Sequence, residues 1–182
     1  MRKLLIVCGL AFLAASATRT TAQEARGFEV SGDYQYVRIN PGQGAQGMNC
    51  QGGSGSAGFY LTAHVGVIGE FGGCKVTGLP SGTSAHELNY LFGPRLYFQP
   101  HGRIFPFVQA LFGGDQLSAG LSGVGSGSTN AFAMALGGGA DITLTRHLSL
   151  RAVQADYFYT HFSGASQNNF RLQSGIVYRF GR

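Results

Sequence analysis

The chain has 182 residues, of which 30 are Gly, 14 Phe, 8 Tyr and none Trp; 44% are hydrophobic and only 12% charged. Soluble domains carry about 25% charged residues, disordered chains are poorer in apolar and aromatic groups, and a collagen-like chain needs a Gly triplet period that this one lacks. What remains is a Gly-rich, aromatic-rich β protein of one domain's length. In chain order, residues 1–22 come first and read as a cleaved secretory signal. Arg2 and Lys3 form the positive region, and Leu4 to Ala15 form an apolar core too short to span a bilayer as a helix. Thr20-Thr21-Ala22 before Gln23 is the expected cleavage site, with Ala15-Ser16-Ala17 as the second choice. Cys8 follows Val7 rather than a small residue, which argues against lipidation. Without the signal, 10 basic and 8 acidic residues remain of the 13 and 8 in the whole chain. The formal charge of +5 falls to +2, and no basic cluster marks a nucleic-acid footprint. Residues 23–182 are expected to form a single barrel domain.

From Gly27 onward, apolar residues recur with period two, the signature of strands. Phe28, Val30, Tyr34 and Tyr36 oppose Glu29, Ser31, Asp33 and Gln35. Weaker segments at 56–63 and 66–74 flank a turn placed at His64-Val65. In 86–98, Leu88, Tyr90, Phe92, Leu96 and Phe98 oppose Glu87, Asn89, Gly93 and Arg95. Residues 103–115 set Val108, Ala110 and Phe112 against Gln109 and Gly113, with Pro106 near the strand start. Residues 131–144 alternate Phe132, Met134, Leu136 and Ile142 with Ala133, Ala135, Gly137 and Asp141. In 147–162 the parity slips between Arg151 and Tyr157, and a β-bulge near Val153 explains it. The last segment sets Phe170, Leu172, Ile176, Tyr178 and Phe180 against Arg171, Gln173, Gly175 and Arg179.

Eight strands of about 9–11 residues match tilted membrane strands. Short connections at 64–65, 99–102 and 145–146 are expected to alternate with longer Gly/Ser-rich ones at 39–55, 75–85, 116–130 and 163–168. That is the asymmetry of outer-membrane barrels, with short periplasmic turns and long external loops. The expected fold is all-β: an eight-stranded antiparallel up-and-down transmembrane β-barrel. Gly, Ala, Ser and Thr with a few charges make a poor water-facing surface but can fill a narrow lumen. The bulky face then meets lipid, with Tyr34, Tyr36, Tyr157, Tyr159, Tyr178 and Phe180 in interfacial girdles. The lumen charge network is expected to hold Glu29, Asp33, Glu70, Glu87, Arg95, Asp141, Arg151, Asp156, Arg171 and Arg179, joined by Gln154 if the bulge is present. Buried charges need partners, so ion pairs should link them, with acids and bases nearly matched. Cys50 and Cys74 are an even pair in an exported chain and are expected to form a disulfide at the external end.

Four runs carry a likeness to a known family: Tyr90-Leu91-Phe92-Gly93-Pro94-Arg95, Gly137-Gly138-Gly139-Ala140-Asp141, Arg151 through Tyr157, and the closing Gly175-Ile176-Val177-Tyr178-Arg179-Phe180. From about Gly27 on, the chain resembles the small OmpA-like, porin-like outer-membrane β-barrel family. The resemblance implies a Gram-negative envelope location. It also implies an assembly signal at Tyr178 and Phe180 read by the barrel-assembly machinery, although Gly181-Arg182 follow the last aromatic. Eight strands and seven connections should consume the 160 residues left after signal removal.

Chemistry is sparse. His64, His86, His101, His147 and His161 are scattered without metal spacing to Asp or Glu, so no metal and no cofactor is expected. Gly137-Gly138-Gly139 lacks the Lys-Ser/Thr and helix of a phosphate loop. Stretches 52–58 and 119–128 read as mobile loops rather than binding motifs. His161-Phe162-Ser163 has the His-x-Ser spacing of an outer-membrane lipid A deacylase family, but Gly164 stands where that family has Asn, and His147-Leu148-Ser149 repeats the spacing at the other end. The leading expectation is a non-enzymatic outer-membrane barrel with an envelope structural or surface-interaction role. A narrow porin-like channel and a lipid A-modifying enzyme are the alternatives. Expected partners are outer-membrane lipid and the assembly machinery, not nucleic acid. A closed sheet needs no second copy, so a monomer is expected; no surface partner or ligand is named by any motif.

Overall fold

A computed structural model describes residues 27–40, 47–79, 82–98, 103–121, 125–162 and 165–181. The expected signal at 1–22 and its cleavage site lie outside these residues. Eight strands run in chain order: β1 (Phe28–Ile39), β2 (Met48–Tyr60), β3 (Val65–Thr77), β4 (Thr83–Tyr97), β5 (Ile104–Leu121), β6 (Gly125–Thr143), β7 (Leu148–Phe162) and β8 (Ala165–Phe180). Each pairs antiparallel with the next, and β8 returns to β1 with Phe28 opposite Phe180, which closes the barrel. Closure leaves no strand at the edge of the sheet, although β6 pairs with β7 only from Phe132 onward.

Alternation sets the two faces. Along β4 the odd residues from Ala85 to Tyr97 point inward, while Leu88, Tyr90, Phe92 and Leu96 are exposed. The outward aromatic and aliphatic belt continues through Phe71, Phe112, Phe132, Tyr157 and Ile176, all 44–57% exposed. In β7 the register against β8 shifts between Arg151 and Gln154. Ala152 and Val153 are both exposed there, which resets the parity so that Asp156 and Phe158 turn inward. At the end carrying the termini, Thr62 Oγ1 accepts bonds from the amides of His64 and Val65 and shapes the turn at 61–64, which begins three residues before the expected His64-Val65.

Two expectations fail in the loops. The stretch 52–58 lies in the middle of β2, and 119–121 and 125–128 belong to β5 and β6. The long connections foreseen at 39–55, 75–85 and 116–130 shrink to 40–47, 78–82 and 122–124, and the one at 163–168 to 163–164. Small residues hide a strand from a pattern search, but the pairing partner still supplies the ladder. At Gly52 the ladder requires glycine, because a Cβ would meet Gly73 O at 2.0 Å. β6 has 19 residues, and its first six, Gly125 to Asn130, are exposed on both faces. At about 3.3 Å per residue, β5 and β6 exceed the length a tilted membrane strand needs, and their far ends, with β4 paired alongside as far as Thr83–Leu121, form a polar ribbon.

Candidate functional site

Parity places all ten expected lumen residues inside, each no more than 8% exposed. They form layers. Near the termini, Glu29 accepts from Arg95 Nη1 at 2.9 Å, Arg179 Nε at 3.3 Å, Tyr97 Oη at 2.9 Å and Tyr60 Oη. Arg179 also reaches Asp141, and Arg151 joins Asp141 at 3.1 Å to Asp33 at 3.3 Å. Farther along the axis, Arg171 is held by Glu70 at 2.5 Å and Asp156 at 2.8 Å. Gln109 bridges the layers: its Oε1 accepts twice from Arg95, and its Nε2 donates to Asp156 at 3.1 Å. Gln154 donates to Asp156 at 2.9 Å and to Gln173.

Guanidiniums also rest on aromatic faces, Arg95 4.4 Å from the Phe107 ring centre and Arg171 5.2 Å from that of Phe158. Arg95, Arg151 and Arg171 are fully buried. Desolvated charges of this kind persist only when paired and hydrogen-bonded, as these are.

Three features differ from expectation. The lumen is not filled by small residues and charges alone: Val37, Ile68, Leu91, Leu111 and Phe158 form an apolar plug beside the Cys50–Cys74 disulfide, whose Cα atoms are 5.5 Å apart. Acids and bases are not matched, because seven described carboxylates, including the unforeseen Asp115, face four buried guanidiniums. Glu87 lies in the lumen but makes no ion pair among the described residues, so it stands outside the network. Tyr60 and Tyr97, buried beside Glu29, were also missed. Their parity opposite Phe59 and Phe98 was the available signal.

The rim holds the remaining expected chemistry. His161 Nδ1 meets Ser166 Oγ at 2.9 Å, and Tyr159 Oη shares that hydroxyl at 2.9 Å. Ser163 and His101 lie outside the described residues. His147 stacks on Tyr178 and contacts the Arg179 carbonyl at 3.1 Å. Tyr178 and Phe180 pack edge to face on the outer wall.

A closed eight-stranded barrel with a lipid-facing apolar belt and a charged, plugged interior defines a small transmembrane barrel of the outer membrane. The model of the outer membrane protein beta-barrel domain matches residues 6–180, and the chain belongs to that family. Neisserial surface protein A is similar in structure, with a TM-score of 0.69, 16% identity, and coverage of 84% of this chain and 97% of that one. The attachment invasion locus protein Ail of Yersinia pestis gives 0.60 at 18% identity over 87% of this chain and all of the other. The N-terminal barrel domain of Pseudomonas aeruginosa OprF gives 0.57 at 14% identity over 87% and 100%. No curated protein matches the chain by sequence. The protein is accordingly a bacterial outer-membrane barrel.

Proposed function

We propose that this barrel is a non-enzymatic, non-conducting envelope protein that works through its projecting outer surface. One observation carries the reading: the lumen is filled across its width by buried Arg95, Arg151 and Arg171, their carboxylate partners and the apolar plug. In an eight-stranded barrel the interior only just accommodates side chains, so a filled lumen serves as a brace. The β5–β6 ribbon, exposed and uncharged from Gly125 to Asn130, is the surface offered to a partner. Outer-membrane lipid around the belt, delivery by the assembly machinery through Tyr178 and Phe180, and a monomeric state belong to the same reading.

Planar-bilayer recording tests it. The expected outcome is no conductance steps from the purified barrel. Steps whose size changes on charge reversal at Arg95 or Arg151 would replace it with the narrow-channel reading. Lipid A mass spectra should be identical for hosts with and without the protein. A modified lipid A that disappears in His161→Ala would establish the enzyme reading instead.

A further inference from the structure

Charge is unbalanced at the mouth of the lumen farthest from the termini. Among the described residues, seven ion pairs engage Glu29, Asp33, Glu70, Asp141 and Asp156 with the four buried arginines. Glu87 and Asp115 take part in none. Asn89 pairs across the ladder with Asp115, and Glu87, two residues earlier, pairs with Leu117. The three polar side chains thus occupy neighbouring inward positions of β4 and β5. Glu87 Oε1, Asp115 Oδ1 and both amide atoms of Asn89 are shut from solvent and have no hydrogen-bond partner among the described residues. Glu87 is 5% exposed and Asn89 fully buried. Such groups carry a desolvation cost that a ligand would relieve.

Both carboxylates line a cavity of about 80 Å³, walled in part by Met48, Leu79 and Leu117. A water needs about 10–15 Å³ of such space, so the cavity admits an ion together with the waters that complete its shell. Among the described residues no Lys, Arg or His forms an ion pair with either carboxylate. The connections 40–47, 78–82, 122–124 and 163–164 contain no Lys, Arg or His. Lys75 and His86 are exposed, and Arg171 is already held by Glu70 and Asp156.

We propose that this mouth binds a hard divalent cation from the external medium, held by the Glu87 and Asp115 carboxylates and the Asn89 amide oxygen. Carboxylate and amide oxygens are the donors that calcium-class ions prefer. The Cys50 and Cys74 sulfurs lie within 4.8 Å of a Glu87 carboxylate oxygen, but their bridge leaves no thiolate for a softer metal. A dication neutralises both carboxylates, whereas an ammonium neutralises one. Calcium also tolerates an irregular oxygen set that magnesium does not.

The test is calorimetric titration of calcium chloride into the EDTA-washed barrel in zwitterionic micelles, with Glu87→Gln/Asp115→Asn alongside and folding checked by heat-modifiable migration. One saturable site is expected in the wild type, weakened at least tenfold in the double variant. In EDTA the double variant should unfold at a higher temperature than the wild type, and calcium should narrow that gap by raising only the wild type. Equal calcium binding by both proteins, no binding by the wild type, or saturable binding of methylammonium without calcium would overturn the proposal. Glu87→Gln alone, read the same way, decides the matter if the double variant does not fold.

Discussion

Glu29 shows how one side chain holds this lumen together. It accepts from two guanidiniums and two phenols supplied by β2, β4 and β8. Removing one member of such a set strands the others as buried, unanswered charge, which costs about 3–5 kcal/mol. Glu29→Ala should lower the unfolding free energy in detergent by about that amount, read from urea titrations of heat-modifiable migration. Glu29→Gln keeps the shape and two acceptor lone pairs and should lose less; equal losses would show that packing rather than charge holds this layer. Every charged member of this layer could be read from period two, because inward and outward residues alternate without exception along β1 and near the end of β4. Tyr60 and Tyr97 escape the same reading because an aromatic ring carries no charge to mark the inward face, although their parity places them there. Asp115 was missed because Gly113 and Gly114 conceal the alternation, although two steps beyond Gly113 the same parity turns it inward.

At the scale of elements, the disulfide joins β2 to β3 across 24 residues of chain. Tying a loop of that length restricts the unfolded chain and contributes about 3 kcal/mol in the chain-entropy description. Reduction, or Cys50→Ala/Cys74→Ala, should therefore lower stability by about 2–4 kcal/mol, and thiol labelling before reduction should find no free cysteine. A labelled thiol in the exported protein would refute the bridge. The strands it joins were only half visible in the sequence. β3 shows bulky residues on both faces, Ile68 inward and Phe71 outward, and much of β2 is Gly, Ser and Ala on both faces. A pattern method needs a contrast between the two faces, and the outer halves of β2, β5 and β6 have little. Their strand character comes from long-range pairing, as where Gly52 lies opposite Cys74, and no local signal carries that information. The bulge in β7 was legible for the opposite reason: bulky residues on both sides of Val153 made the slip in parity visible.

For the whole molecule, the decisive property is that polarity is inverted relative to a soluble barrel. Every described carboxylate is inside, and most of the large apolar side chains are outside: Phe92 is 63% exposed and Ile176 55% exposed. In water such a belt would drive aggregation; in a bilayer it is the contact surface, and a charge placed on it loses its hydration. Ile176 lies on β8 midway between the outward Phe170 and Phe180, which puts it near the middle of the belt. Ile176→Arg should cost about 2–4 kcal/mol, the range for a basic residue at the midplane of a membrane barrel. Ser128→Arg changes the charge equally but sits on the ribbon beyond the belt, exposed like its neighbours from Gly125 to Asn130. It should stay within about 0.5 kcal/mol of the wild type. Measured in the same vesicles by urea unfolding, the contrast between the two variants isolates depth from charge. Equal losses at both positions would mean that the apolar band does not run through Ile176, and the assignment of the belt would have to shift along the axis.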